Sequence, residues 1–341
     1  MLPGNPFSFI KQSAPLSLPE FIYSGTMTNP PPVDLVGVGL NATDTVIPLE
    51  TYPPRGSKTE YSTITTLPGG QVATTVVACQ QWGLRTRYVG KLGDDLAATL
   101  HREAFSHAGV ETHIITAPGV PSAQSLILVD AHGERTVLCR RDERIVLHPT
   151  DLQREWITNA RALHVDGHDT EAAIQAAVWA REASIPAIAD LDELYPNIES
   201  LLTNVDYLIV SRDFPSRLTA EPTLEQALRK MHHRYNAKLA AATLGEEGVL
   251  AFDGKRLLHI PAFSVPVIDT TGAGDIFHAG FIYALLQNWP LNRQLEFACA
   301  AAALNCTAVG ARGGIHSLED IATLIATGTR HHTAQSSASA R

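Results

Sequence analysis

The sequence predicts an α/β protein of three layers, α/β/α, with a mostly parallel central sheet and a small β-sheet lid. Strand-like apolar runs alternate with helix-length segments over most of residues 34–328. Strands that alternate with helices imply a parallel sheet covered on both faces. Two groups of short β-branched segments, within about 44–67 and 123–141, interrupt this alternation. They predict a second, smaller sheet that serves as the lid.

The composition is typical of a soluble globular protein that binds neither nucleic acid nor a membrane. The 341 residues are 45% hydrophobic and 18% charged, which suits one large α/β domain. The formal charge of −9 is not offset by a basic tract, which argues against nucleic acid as a partner. No apolar run reaches membrane-spanning length. The four cysteines lack metal-binding spacing, which indicates a reduced, cytoplasmic protein.

Both ends of the chain are predicted to lie outside the folded domain. Residues 1–33 contain one lysine, several prolines and no sustained apolar core, so they make a poor signal peptide and are expected to form a flexible leader. Met27 precedes three prolines and the first predicted strand, which makes it a second candidate start site. Residues 329–341 are polar and are expected to form a disordered tail.

The first half of the chain supplies the first strand, the lid and two helices. The apolar run at 34–39 predicts a buried strand. The β-branched stretch at 61–66 predicts an edge strand of the lid. Two more lid strands, at 125–129 and 135–139, are joined by a turn containing His132 and Gly133. Between these groups the sequence predicts a helix at 72–82, a strand at 88–93 and a helix at about 94–107.

The second half restores the regular alternation. Short apolar runs predict strands, and segments with helical periodicity predict helices. The pair Asp253-Gly254 predicts the turn of a hairpin. In chain order the other elements are strand 162–165, helix 171–183, strands 187–190 and 206–210, helix 224–233, strand 239–243, and helices 276–286, 294–307 and 318–326.

Residues 269–275, DTTGAGD, followed by an apolar run to Leu286, carry the clearest chemical signal. The run is apolar on almost every side, so its helix should be buried. The first turn of a helix presents free N–H groups and a positive dipole end, and small residues before it let a phosphate approach. Asp275 is then placed to take a proton from a substrate hydroxyl. The simpler alternative is a glycine-rich helix start in which Asp275 only complements the dipole.

A second glycine pattern suggests a different class of function. Gly37-x-Gly39-x-x-Ala42 matches the loose fingerprint of a dinucleotide site, and therefore an NAD-dependent oxidoreductase. That fingerprint requires a helix directly after the glycines. Residues 43–49, TDTVIPL, are instead β-branched and contain a proline. The pattern therefore argues against a dinucleotide site.

The order of residues from 269 to 282 resembles the C-terminal motif of the ribokinase/PfkB family of carbohydrate kinases. The likeness covers roughly residues 34–320 and implies a ribokinase-like fold that uses ATP to phosphorylate a sugar. It implies that Asp275 is the catalytic base and that the N–H groups of Gly272, Ala273 and Gly274 stabilise the transferring phosphoryl group. Similarity to the ketohexokinase-like and sulfofructose kinase-like branches favours a ketose or modified hexose, phosphorylated at a primary hydroxyl.

The resemblance also implies a sugar site. Asp44 matches the family's acid that hydrogen-bonds sugar hydroxyls, and Gly69 and Gly70 match the glycine pair whose backbone approaches the sugar. The alternative for Asp44 is an ordinary turn residue. Family members carry asparagines shortly after the glycine pair, whereas this chain has Gln71 and Thr74. This departure leaves the identity of the sugar open.

The nucleotide side is implied in the same way. A Thr-x-Gly-x-x-Gly turn beside the phosphates and a glycine-rich loop near the C-terminus both have matches here. The residues implied to bind the nucleotide are Thr243, Gly245, Gly248, Cys299, Gly310, Ala311 and Gly313.

Two kinds of metal ion follow from the resemblance. Asp269 and Thr271 match residues that enclose a monovalent cation, with K⁺ as the candidate. The family's Asn-x-x-Glu, which organises Mg²⁺ and phosphate, is replaced here by residues 211–214, SRDF. Mg²⁺ is therefore expected to arrive with ATP, held by phosphates and water.

Two other polar groups are candidates for contact with the substrate. Arg140, which is followed by Arg141, could clamp an anionic sugar substituent, and the alternative is a solvated lid edge. His164, Asp166 and His168 alternate as metal ligands on a strand would. No second cluster completes a metal site, so Asp166 and His168 are predicted to line the substrate pocket.

The sequence therefore predicts an ATP-dependent sugar kinase whose partners are a sugar and ATP. The alternatives are a nucleoside kinase of the same fold, an NAD-dependent oxidoreductase and a non-catalytic sugar-binding regulator. Lid sheets with exposed edges often pair across a dimer, so a homodimer formed through the lid is a further expectation.

Overall fold

The computed structural model describes residues 33–131 and 135–331. The expected leader lies outside these ranges apart from Val33, which opens the first strand. The predicted turn at His132 and Gly133 and the tail beyond residue 331 also lie outside them. Within the two ranges, none of the helices combines the length and the apolar character that a bilayer crossing requires.

Thirteen strands lie in the described part of the chain, and most of their positions follow the predicted alternation. They are β1 (Val33–Val38), β2 (Ala42–Pro48), β3 (Thr65–Gly69), β4 (Thr86–Leu92), β5 (Glu111–Thr116), β6 (Gln124–Val129), β7 (Arg135–Arg140), β8 (Ala160–Asp166), β9 (Ala187–Leu191), β10 (Tyr207–Ser211), β11 (Leu239–Thr243), β12 (Val249–Phe252) and β13 (Leu257–Ile260).

Nine of these strands form the central sheet, in the order β13-β12-β11-β10-β9-β8-β1-β4-β5. The pairs from β11 to β5 are parallel, and the hairpin of β12 and β13 adds an antiparallel edge. The carboxyl ends of the parallel strands therefore meet at one rim of the sheet, where α/β proteins bind their ligands. The mostly parallel sheet predicted from the sequence is confirmed.

Ten α-helices in the described residues cover the sheet. They are α1 (Gln71–Gln81), α2 (Leu96–Ala108), α3 (Arg154–Thr158), α4 (Thr170–Glu182), α5 (Ile198–Leu202), α6 (Phe214–Thr219), α7 (Leu224–Tyr235), α8 (Ala273–Leu286), α9 (Leu291–Asn305) and α10 (Leu318–Thr327). Side chains of α1, α2, α8, α9 and α10 form one buried cluster with the sheet. Side chains of α3 to α7 form a second on its opposite face. The predicted three layers are confirmed.

The remaining four strands form the lid, in the order β3-β2-β6-β7. Both predicted groups of β-branched segments therefore lie in one small sheet, as expected. The strand predicted at 61–66 is displaced, because pairing with β2 begins only at Thr65. Tyr61 and Ile64 are exposed and precede the strand.

The chain after β1 contradicts the dinucleotide interpretation. It turns at Gly39 and enters β2 at Ala42, with no helix between the two strands. A dinucleotide fingerprint needs a helix there to receive the pyrophosphate. The alternative of an NAD-dependent oxidoreductase therefore has no structural basis at this motif.

The domain continues slightly further than the sequence predicts. Residues 329–331 were expected to belong to the disordered tail, but Arg330 forms a β-bridge with Phe263 and its guanidinium lies 3.9 Å from the centre of that ring. Arg330 also pairs with Glu296 on α9. These contacts hold the end of the described chain against α9.

Candidate active site

The turn before α8 owes its shape to Gly272. This residue has φ 76° and ψ 0°, the values of the third position of a type II turn, which favours glycine. A Cβ at residue 272 would lie 2.5 Å from Cα of Ala311. The turn can therefore pack directly against the glycine-rich loop at 310–314.

The N–H groups of this turn are not equivalent. The N–H of Ala273 donates to the carbonyl of Thr270 at 3.2 Å and closes the turn. The expectation that Ala273 offers a free N–H group is therefore wrong. The N–H groups of Gly272, Gly274 and Asp275 have no acceptor among the described residues. Of these three residues, Gly274 is the most exposed.

Asp275 is partly exposed at the rim, although most of its surroundings are protein. Burial raises the pKa of Asp275 well above its usual range, and the neighbouring Asp190 and Asp44 raise it further. His278 and Arg135 act in the opposite direction. A carboxylate with a raised pKa is a stronger base, so the position suits proton abstraction.

Two side chains hold the backbone of this turn in place. The hydroxyl of Thr75, on α1, donates to the carbonyl of Asp275 at 3.0 Å. Nδ1 of His278 lies 2.9 Å from the carbonyl oxygen of Gly274. The sequence analysis missed both contacts, because neither partner belongs to the motif's pattern of small residues.

Asp44 lies against the glycine pair, as the family resemblance implies. Asp44 lies on β2 opposite Leu67, and its Oδ2 would lie 1.9 Å from a Cβ at Gly69. The residue is 6% exposed. Burial raises its pKa to about 6, partly offset by a hydrogen bond with Ser125 and the charge of Arg312. Only glycine at 69 leaves room for this carboxylate.

Gln71 and Thr74, the two departures from the family pattern, lie in the first turn of α1. Gln71 is partly exposed, and its Oε1 is buried without a hydrogen-bond partner. Thr74 is fully buried, and its hydroxyl accepts from Nε of Arg312 at 3.3 Å. The hydroxyl can still donate one hydrogen bond, so contact of Thr74 with the substrate stays a prediction.

Arg312 is a site residue that the sequence analysis missed. Besides Thr74 it donates from Nη2 to the carbonyl of Gly69 at 3.0 Å. Burial lowers its pKa to about 10, although Asp275 and Asp44 oppose the shift. A single arginine therefore joins the loop at 310–314 to the glycine pair and lies near both carboxylates. Its position between two glycines in an irregular loop gave no periodic signal.

The lid presents Arg135 to the site and Arg140 to the opposite face. Strand pairing aligns Asp44 with Ser125 and Cys139, and residues two apart share a face, so Arg135 lies on the face of Asp44. Arg140 is opposite Gln124 and therefore lies on the other face. The prediction that Arg140 clamps the substrate is wrong, and Arg135 is the lid arginine close enough to lower the pKa of Asp275.

Asp166 is a structural tie between two strand ends. It is fully buried, and its carboxylate accepts from the N–H groups of Leu40, at 2.7 Å, and His168, at 3.0 Å. This corrects the expectation that Asp166 lines the substrate pocket. His168 is partly exposed and its ring lies beside the hydroxyl of Tyr195. No cluster of three or more His, Cys, Asp or Glu side chains placed to hold a metal ion occurs among the described residues, which disfavours the metal interpretation of His164 to His168.

The residues implied to bind the nucleotide lie along the rim and beside it. Thr243 ends β11, and a Cβ at Gly248 would lie 2.0 Å from the carbonyl oxygen of Ile260, so the turn packs against the chain after β13. Gly245 begins the short helical turn between them. Cys299 is buried on α9, and burial raises its pKa to about 12. It is an apolar packing residue in this conformation.

The turn at Asp269 contains buried oxygen atoms suited to a cation. The carboxylate of Asp269 accepts from the N–H groups of Thr271 and Gly310, both at 2.8 Å. Asn305 donates from Nδ2 to the carbonyl of Thr271 at 3.0 Å. Oγ1 of Thr271 and Oδ1 of Asn305 are buried without a hydrogen-bond partner. Gly313 lies in the same loop, where it packs on the carbonyl of Val309.

The segment at 211–214 supplies no carboxylate at the place where the family has one. Phe214 is fully buried in the core. Arg212 pairs with Glu247 at 2.7 Å and donates to the carbonyl of Leu244. Arg212 therefore braces the turn after β11, and the buried phenyl ring of Phe214 offers no oxygen ligand for Mg²⁺.

Known proteins resemble this chain over most of its length. The pattern of the pfkB family carbohydrate kinases matches residues 36–318. A ribokinase from Arabidopsis thaliana is 30% identical over 305 residues, which cover 84% of this chain and 78% of that protein. A 5-dehydro-2-deoxygluconokinase from Geobacillus kaustophilus is 25% identical over 304 residues, which cover 80% of this chain and 88% of that protein.

A solved structure extends the likeness to three dimensions. The structure of Arabidopsis thaliana ribokinase complexed with ribose and ATP superposes with a TM-score of 0.73 at 26% identity. The match covers 86% of this chain and 98% of that one. The likeness therefore includes both the nine-stranded sheet and the lid.

Proposed function

The chain belongs to the PfkB family of carbohydrate kinases, and we propose that it transfers the γ-phosphoryl group of ATP to a primary hydroxyl of a small sugar. The observation that carries this proposal is the first turn of α8. There a partly exposed carboxylate, Asp275, stands beside the N–H group of Gly274, which has no acceptor among the described residues. A base and an anion-binding group are thereby adjacent.

The chemistry follows from these two groups. Asp275 takes the proton of the sugar hydroxyl as the hydroxyl oxygen bonds to the γ-phosphorus. The bond from that phosphorus to its bridging oxygen breaks, and ADP leaves with the electron pair. The N–H groups of Gly274 and Asp275, at the positive end of α8, stabilise the charge on the transferring group. The raised pKa of Asp275 favours its role as acceptor of the proton.

The sugar is proposed to bind between the lid and the start of α1. Asp44, on the inner face of the lid, offers a carboxylate to vicinal hydroxyls, and the backbone at Gly69 lies against it. Oε1 of Gln71 adds a buried acceptor without a partner. A buried acceptor discriminates strongly against substrates that lack a matching hydroxyl. A ketose or modified hexose is the proposed class, supported by the similarity to 5-dehydro-2-deoxygluconokinase.

A monovalent cation fits the turn at Asp269. The turn contains the Asp269 carboxylate and the buried, unpartnered oxygens of Thr271 and Asn305, and oxygen-rich turns suit a hard ion such as K⁺. Asp269, Thr271 and Asn305 would hold it, and its charge would steady the turn that leads into α8. Ser211 and Phe214 stand where the family's asparagine and glutamate organise Mg²⁺, so that ion is proposed to enter with ATP.

The decisive experiment is a substrate panel. Aldopentoses, ketohexoses, sugar acids and nucleosides are each supplied with ATP and Mg²⁺, and ADP release is measured. Phosphorylation of a sugar is expected, and the Asp275→Asn variant should lose about 10²- to 10⁴-fold in turnover because the general base is gone. Its thermal stabilisation by ATP should persist. Nucleosides as sole substrates, no turnover with any sugar, or near-normal turnover of the variant would contradict the proposal.

A further inference from the structure

A buried acid and a buried histidine lie directly beneath the proposed base. Asp190 is the fourth residue of β9 and is 7% exposed, and His278 lies on α8 and is 2% exposed. Oδ2 of Asp190 is 3.4 Å from Nδ1 of His278, and it has no hydrogen-bond partner among the described residues. Both side chains are buried, and the proposed mechanism uses neither of them.

The ring of His278 faces acceptors on both sides. Nδ1 is 2.9 Å from the carbonyl oxygen of Gly274, and Nε2 is 3.3 Å from the carbonyl oxygen of Ile209 on β10. A neutral imidazole has one N–H donor, whereas the protonated ring has two. Two carbonyl acceptors and a carboxylate around one ring therefore suit the doubly protonated form.

Burial acts on the two groups in opposite directions. It raises the pKa of Asp190 well above its usual range and lowers the pKa of His278. An unpaired charge on either group would be costly at this depth, whereas a carboxylate and an imidazolium in contact are neutral as a pair. The carbonyl oxygens of Gly274 and Ile209 favour the proton on the ring.

The surroundings contain several other ionisable groups. From β8, His164 lies with its ring centre 5.5 Å from that of His278, and Asp166 raises the pKa of Asp190. From the segment after β9, Asp192 raises the pKa of Asp190. Tyr195, in the same segment, also interacts electrostatically with Asp190. From α8 itself, Asp275 favours a positive charge on His278. Of these neighbours, Asp275 is the one that acts on His278 itself, and it favours the imidazolium. Asp166 and Asp192 act on Asp190 and favour its protonated form.

We propose that Asp190 keeps His278 doubly protonated and that His278, through the carbonyl of Gly274, positions the turn that carries the base. The Gly274 carbonyl belongs to the same peptide unit as the N–H group of Asp275. A donor fixed on that carbonyl therefore fixes the direction of the N–H group and the start of the Asp275 side chain. This inference rests on the proposed role of Asp275, and it makes Asp190 and His278 positioning residues.

The protonation half of the inference is tested without turnover. In ¹⁵N NMR spectra of the full chain at neutral pH, the ring of His278, assigned by its loss in a His278→Asn variant, should show two N–H nitrogens. In Asp190→Asn it should become neutral. Asp192→Asn removes the same charge two residues away and should leave the ring doubly protonated. A neutral ring in the unmodified protein, or a ring still doubly protonated in Asp190→Asn, would overturn the pairing.

The positioning half is tested by a pair of substitutions at one site. Asn places its amide nitrogen near the position of Nδ1 and can still donate to the Gly274 carbonyl, whereas Leu cannot. His278→Leu should lower kcat about 10- to 100-fold, the effect of a displaced catalytic group, with KM for ATP and sugar changed less than about 3-fold. His278→Asn should recover most of kcat. Normal kcat in His278→Leu, or equal losses in both variants, would overturn this half.

The tests of the Asp190–His278 pair can be distinguished from the test of the proposed kinase function. If no sugar is phosphorylated by the unmodified protein, the kinase proposal fails while the NMR result still decides the pairing. If sugar is phosphorylated and the NMR result is negative, the kinase proposal stands and the pairing is wrong.

Discussion

Gly69 and Asp44 fit together only because residue 69 has no side chain: a Cβ there would lie 1.9 Å from Oδ2 of Asp44. The contact joins the end of β3 to the middle of the neighbouring lid strand β2. It places a buried carboxylate against the backbone that leads into α1, at the proposed sugar site. Four predictions follow from this site and its surroundings.

Gly69→Ala should displace the Asp44 carboxylate. Because the site is closely packed, we expect a loss of about 1–3 kcal/mol in the free energy of unfolding and a raised KM for the sugar. The matched control is the double variant with Asp44→Ala, in which the clash is absent. The double variant should lose less free energy of unfolding than the sum of the losses in the two single variants. Strict additivity in urea unfolding would show that the two residues do not interact.

Asp44 should make the protein less stable as the pH rises. Its pKa is raised from 3.8 to about 6, so between these values the folded state holds a proton that the unfolded chain releases. Stability therefore falls as pH rises through this window, by up to about 3 kcal/mol. Asp44→Asn lacks this titration and should gain stability relative to the unmodified protein as pH rises. Urea unfolding on both sides of the window measures this, and a constant difference would contradict the assignment.

Arg312→Met should impair sugar binding while preserving side-chain bulk. The change removes the donors to Gly69 and Thr74 and a positive charge that lowers the pKa of Asp44. We expect KM for the sugar to rise about tenfold, the effect of a lost hydrogen bond to a charged donor. Loss of this charge should raise the pKa of Asp44, so sugar binding should begin to weaken at a higher pH as the pH is lowered. Arg229→Met, which alters an arginine stacked on Phe252 in the opposite helix layer, serves as the control.

Arg135→Ala and Arg140→Ala should differ, although the two arginines belong to one strand. Arg135 shares the inner face of the lid with Asp44, whereas Arg140 lies on the outer face. Loss of Arg135 should lower kcat/KM about tenfold, equivalent to about 1.4 kcal/mol of electrostatic attraction, and less at high salt. Arg140→Ala should match the unmodified protein. Equal effects in steady-state kinetics would contradict the assignment of faces.

The sequence predicts those parts of the molecule that local pattern determines. Alternating apolar segments indicate the order of strands and helices, and a glycine-rich turn before a uniformly apolar run indicates where α8 begins. Short elements such as α5 and α6 and the half-exposed strand β5 carry weaker patterns, and they were not predicted. The lid strand β3 was misplaced because its start depends on pairing with β2.

The site depends more strongly on tertiary contacts. Whether Arg135 or Arg140 faces the base follows from the register of the lid, and a difference of one residue reverses the face. The hydrogen bond that removes Ala273 from the set of free N–H groups depends on the backbone angles of Gly272. Arg312 contacts Gly69 and Thr74, and Asp190 contacts His278, each from a distant segment, so no spacing along the chain could reveal these pairs.

Asp166 contacts no proposed substrate, yet it fixes the position of the chain that leads into the lid. By accepting from Leu40 and His168 it clamps the exits of β1 and β8, and the chain enters the lid strand β2 two residues after Leu40. The start of the lid is thus tied to a fully buried carboxylate at the end of a central strand of the large sheet. If the sugar binds against the inner face of the lid as proposed, substitutions on that face are expected to change sugar specificity without altering how the lid strand joins the large sheet.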